Sequence, residues 1–121
     1  MGVEFSQDVF DTICERITNG ESLRKICEDE HMPNRSNVFR WMAAEGAEEL
    51  RDQYARARDA QADAYADDCV YIADNAKDAA IARVQIDARK WHASKLAPKK
   101  YGDKIQHTGE GGGALQVVIN K

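Results

Sequence analysis

Arg35, Ser36, Asn37 and Arg40 fall within six residues, and their types suit contact with the grooves of a DNA duplex. Arginine reaches phosphate or the O6/N7 edge of guanine, asparagine pairs with adenine, and serine reaches phosphate. They follow Met32-Pro33-Asn34, which in turn follows Glu21-Ser-Leu-Arg-Lys-Ile-Cys27. That spacing is a helix-turn-helix, with Leu23, Ile26 and Cys27 packing the first helix and Pro33 in the turn. Arg24 and Lys25, on the first helix, complete the candidate DNA-binding set. A plain three-helix packing domain is the competing reading of the same residues. The acidic run Glu28-Asp29-Glu30 opposes phosphate wherever it faces it.

No other set of residues makes a case for catalysis or for a metal. His31, His92 and His107 lack ligand spacing, and no Ser/His/Asp or Cys/His arrangement is local. The adjacent Asp67 and Asp68 point to different faces of a helix. The run Gly109-Glu110-Gly111-Gly112-Gly113 lacks the Lys-Ser/Thr of a phosphate-binding loop and no helix follows it, so it reads as a turn. Cys14, Cys27 and Cys69 are odd in number and without CxxC spacing, which fits buried thiols in a reducing compartment. No cofactor is implied.

The elements that must position these residues divide the chain into three. Residues 1–46 carry three short helices. Ser6 caps the first, with Val9, Phe10, Ile13 and Ile17 at helical spacing and a stop at Asn19-Gly20. Ser22 caps the second, which Pro33 closes. The third runs from about Ser36 to Ala44, with Val38, Phe39 and either Trp41 or Met42 inward, and Gly46 as its stop.

Residues 47–97 form an antiparallel helix hairpin for oligomerisation. No proline or glycine interrupts 47–76, where Leu50, Tyr54, Ala57, Gln61, Tyr65, Cys69, Ile72 and Ala76 step by three and four. A second helix, about 78–96, sets Ile81, Val84, Ala88 and Trp91 on one face. The stripe is narrow and alanine-rich, so further copies are expected to pack around it.

Residues 98–121 read as a β-hairpin. Pro98 ends the helix, and 104–108 and 114–119 are strand-like around the glycine loop. An isolated two-stranded hairpin is marginal in water and its edges invite pairing, so neighbours in a ring are expected to close it into a barrel. Leu115, Val117 and Ile119 alternate onto one face. A disordered tail is the alternative that the glycine run favours.

The 121 residues leave room for one domain or two small modules. Charged residues make up 31% and aromatics 7%, which suits a helical chain with a thin core. No apolar run is long enough to span a bilayer, and residues 1–10 do not read as a secretory signal. The net charge of -4 conceals an asymmetry. Residues 1–46 hold nine acids and five bases, 47–81 nine and four, and 82–121 three and eight. Such a split points to electrostatic pairing between elements or to a basic surface in the last third.

One stretch is distinctive as a whole: Arg83-x3-Asp87-x-Arg89-Lys90-Trp91, then Pro98-Lys99-x-Tyr101-Gly102-Asp103-Lys104. It resembles small subunits of tailed-bacteriophage terminases. So do Gly20-Glu21-Ser22-Leu23, Met32-Pro33, Val38-Phe39-Arg40-Trp41 and Ile72-Ala73-Asp74-Asn75-Ala76, in the same order over about residues 8–121.

The resemblance implies a mainly α chain that assembles as a ring and is not itself an enzyme. The helix-turn-helix domains would sit on the rim, the long helices in the wall and the C-terminal strands in a barrel. The ring would recognise the packaging site on double-stranded viral DNA in the host cytoplasm. It would pass the DNA to a large subunit carrying the ATPase and nuclease, with no membrane involved. Tyr54, Tyr65, Arg83, Asp87, Arg89, Lys90 and Trp91 are the candidate oligomerisation residues. Leu115, Val117 and Ile119 are the candidates for docking the large subunit. The net acidic N-terminal domain, without a basic leader, departs from the pattern. The alternatives are a dimeric helix-turn-helix transcriptional regulator and a purely structural assembly protein.

Overall fold

Ser6 opens the first helix as its spacing predicts: the Ser6 hydroxyl accepts from the Val9 amide at 3.1 Å, and α1 runs Gln7–Thr18. The computed structural model describes residues 3–102, 104–108 and 116–120. Its further elements are α2 (Leu23–Ile26), α3 (Arg35–Ala43), α4 (Glu48–Asp74), α5 (Ala79–Leu96), α6 (Pro98–Tyr101), β1 (Lys104–Thr108) and β2 (Gln116–Asn120). The chain separates into two compact units, residues 1–64 and 65–121, with α4 contributing to both.

In the first unit the apolar spacing of α1 becomes a core. Phe10, Ile13, Cys14 and Ile17 are buried with Leu23 and Ile26 of α2, Val38 and Met42 of α3, and Ala57 of α4. Gly20 and Gly46 take positive φ values of 105° and 81°, which lets the chain leave α1 and α3 without the Cβ clash other residues would meet. Ser22 caps α2 through a bond from the Lys25 amide at 3.1 Å.

Gln61 is fully buried, as the stripe on α4 predicts. Its Nε2 donates to the Glu21 main-chain oxygen at 2.8 Å, while its Oε1 has no partner among the described residues.

In the second unit Tyr65 is buried, with its ring stacked on His92 at 5.3 Å. Asp68 meets Arg89 across the two helices at 3.4 Å. Asp78 caps α5 through the Ile81 amide at 2.9 Å.

The face of α5 that buries is not the predicted one. Ala82 and Ala93 are buried and Ile86 is half-buried, whereas Ile81, Val84, Ala88 and Trp91 are exposed. Small residues allow close helix approach, so the alanines take the inner face and leave the bulky side chains outside.

The expected fold class is corrected at the C-terminal end. Among the described residues the structure is mainly helical and shows no β-barrel. The strands are only five residues each, and they pair antiparallel with one another, Ile105 opposite Ile119 and His107 opposite Val117. Two strands form an open ribbon, and the intersubunit barrel expected from the sequence is not seen among the described residues. The glycine run 109–113, Leu115 and Lys121 lie outside the described residues.

Candidate nucleic-acid interface

Four devices hold α3. At its start Asn34 is the N-cap, its Oδ1 accepting from the Asn37 amide at 2.9 Å, so that the helix begins at Arg35, one residue before the Ser36 start read from sequence. Pro33, fully buried, fixes the approach to that cap. In the middle Val38 and Met42, four residues apart, insert into the core. At its end the Arg51 guanidinium donates to the carbonyls of Met42 at 2.6 Å and Ala44 at 3.4 Å. A cation on the last carbonyls satisfies them and complements the negative end of the helix dipole.

With Val38 and Met42 inward, the opposite side of α3 is set. Arg35, Ser36 and Arg40 are exposed there, and Asn37 is half-buried at the cap. Phe39 joins them, 50% exposed, although its apolar character predicts an inward position. It stands four residues from Arg35 and three from Ser36, on the same strip of helix. A phenyl ring there is a contact for the thymine methyl group, and the signal that reveals it is the Val38–Met42 spacing, which already fills the inner face. Arg24 and Lys25 are exposed on α2.

The neighbouring acids are partly neutralised. Glu21 takes Arg16 through both oxygens, at 2.9 and 2.8 Å, and this bond holds its carboxyl below the usual range. Asp29 accepts from the His31 amide and lies 3.5 Å from Arg16, which lowers it likewise. Glu28 and Glu30 remain exposed. Burial pushes the Cys14 thiol up to about 11 and raises Cys27, so neither is a nucleophile at neutral pH.

The candidate oligomerisation residues fall into two groups. Tyr54 is half-buried against the first unit's core with Arg58 over its ring, and Tyr65 is buried in the second unit. Arg89 is held by Asp68. Arg83, Asp87, Lys90 and Trp91 are exposed, and no ion pair joins Arg83 to Asp87. Of the docking candidates, Val117 and Ile119 lie on β2. Among the described residues no group of three or more His, Cys, Asp or Glu is placed to hold a metal.

This arrangement of a capped, outward-facing α3 on a small helical core, followed by a long helix hairpin, has known relatives. Residues 5–108 match the family described as "Bacteriophage Sf6, terminase small subunit-like". The chain belongs to that family. Two crystal structures of terminase small subunit gp1 of the bacterial virus Sf6, each with a different single substitution, are 42% identical to it. Each match covers 98% of this chain and 94% of that one, with a TM-score of 0.75. A third such variant is 41% identical with the same TM-score. No curated protein sequence matches. The chain therefore has the role of a terminase small subunit.

Proposed function

We propose that this small subunit is a non-catalytic DNA-recognition protein that binds the packaging site of its viral genome and presents it to the large subunit. The observation that carries the reading is α3: a helix capped at both ends and anchored by Val38 and Met42, with Arg35, Ser36, Phe39 and Arg40 outward. That is the side-chain set a recognition helix needs in the major groove. Arg24 and Lys25 add phosphate contacts from α2.

The protein acts as a ring of copies in the host cytoplasm. The outward face at the start of α5 supports the assembly: Val84 is 69% exposed, and Ile81, Val70 and Tyr71 are exposed in the same unit. Apolar residues of that size on one unit mark a surface that another chain covers. Arg83 and Asp87 flank Val84 and supply the polar rim of that contact. The large subunit docks at the C-terminal segment through Leu115, Val117 and Ile119. Among the described residues no helix is long and apolar enough to cross a membrane.

Native mass of the purified protein, together with a gel shift on packaging-region duplex at low salt, tests the reading. A ring-sized oligomer that shifts the duplex supports it. A dimer that prefers a palindrome marks a transcriptional regulator, and an oligomer that ignores DNA marks a structural protein.

A further inference from the structure

The unit that carries α3 is a poor polyanion binder by charge. Residues 1–64 hold fourteen acids and eight bases. Phosphate neutralisation supplies much of the affinity of most DNA-binding proteins, and Arg24, Lys25, Arg35 and Arg40, set among fourteen acids, leave that requirement incompletely met. The opposite balance stands in the second unit, where residues 82–102 hold six bases and the single acid Asp87.

Those bases are not equivalent. Arg89 is occupied by Asp68 at 3.4 Å and by the Gln85 carbonyl at 3.2 Å. Lys90, Lys95 and Lys99 are exposed and form no ion pair among the described residues. The Lys95 ammonium lies 5.6 Å from the centroid of the Trp91 ring, and Trp91 is 62% exposed. Lys90, Trp91, Ser94 and Tyr101 line one hollow, with Cys69 at its wall. The short α6 packs on α5, which brings Lys99, two residues before Tyr101, to the same end of the unit.

We propose that this end of the second unit is a sequence-independent DNA contact, in which Lys90, Lys95 and Lys99 neutralise backbone phosphates. The inference rests on the DNA-recognition reading above. In it the labour is divided: α3 reads the site, and the α5–α6 end supplies the attraction that the acidic first unit lacks. The Trp91 ring restrains Lys95 by cation–π contact and keeps the aromatic surface beside the cations.

The test is fluorescence anisotropy of the full chain on two duplexes, the packaging region and a scrambled sequence of equal length, over a range of salt. The variant replaces Lys90, Lys95 and Lys99 by glutamine. The expected result is an equal fold-loss on both duplexes, with the slope of log K against log salt smaller by about 2–3, close to 0.9 per phosphate contact removed. Replacing the same three lysines by arginine keeps the wild-type slope. An unchanged slope in the glutamine variant overturns the inference. So does a fall in its native mass, which assigns the surface to contact between copies, or a loss of large-subunit binding with DNA binding intact, which assigns it to an acidic protein face. Wild-type protein that binds neither duplex removes the DNA reading itself, and this inference with it.

Discussion

The side-chain amide of Gln61 donates to the main-chain oxygen of Glu21 at 2.8 Å, across forty residues of sequence. Through it α4 holds the loop that sets α2 against α1. The Glu21 carboxylate takes Arg16 on α1, and Arg16 lies 3.5 Å from Asp29, just past α2. The buried Gln61 amide thus ties the helix-turn-helix to the long helix, and the partly exposed Arg16 ion pairs tie α1 to the segments on either side of α2.

Gln61→Ala removes the donor to Glu21 and leaves a void, at an expected cost of about 2–4 kcal/mol. Gln61→Leu refills the space and also removes the unpartnered Oε1, so its expected cost is under about half of that. Equilibrium unfolding of both variants orders them, with leucine the more stable.

The carboxylates around Arg16 make the first unit sensitive to acid. Glu21 and Asp29 titrate below their ordinary values of 4.5 and 3.8 when folded, chiefly through the Arg16 bond and the His31 amide respectively. A depressed folded pKa gives stability that is present above the ordinary value and lost as pH falls through the folded one. Thermal midpoints therefore drop below about pH 4. Arg16→Gln is expected to flatten that part of the profile.

The order of thiol reactivity follows burial. Cys14 is buried with its thiol pushed up to about 11, whereas Cys27 and Cys69 are half-buried. Burial raises Cys27 and Cys69 as well, so titration with a thiol reagent at pH 8 is expected to show slow modification of these two, slower than a free thiol, and of Cys14 only on denaturation.

Much of this was legible in the residues. Ser6 and Ser22 announce α1 and α2 because a cap acts three residues ahead, within reach of a local pattern. Gln61 falls in the helical stripe, although nothing in the sequence names Glu21 as its partner. Two things depended on packing that no local pattern carries. Val38 and Met42 fill the inner face of α3 and turn Phe39 outward, so an apolar residue joins the candidate interface. On α5 the larger apolar stripe reads as the inner face, yet Ala82 and Ala93 are the residues that bury. The expected intersubunit barrel is not seen for a different reason: of the strand-like residues read at 104–108 and 114–119, those described form one antiparallel pair, not a closed sheet.

The caps of α3 link stability to recognition. Asn34→Ala is expected to cost about 1 kcal/mol. Arg51→Ala frees the carbonyls of Met42 and Ala44 and is expected to weaken duplex binding with Arg35 and Arg40 intact. Circular dichroism and anisotropy on the same samples separate the two effects.

The preference for the packaging-region duplex over a scrambled one, compared between wild type and the double variant Arg35→Ala/Arg40→Ala, tests the role of α3 most directly. The prediction is that the preference collapses, each lost base contact removing about 1–3 kcal/mol, while native mass and helix content stay as in wild type. A double variant that keeps the full wild-type preference would contradict the assignment of α3 as the recognition helix.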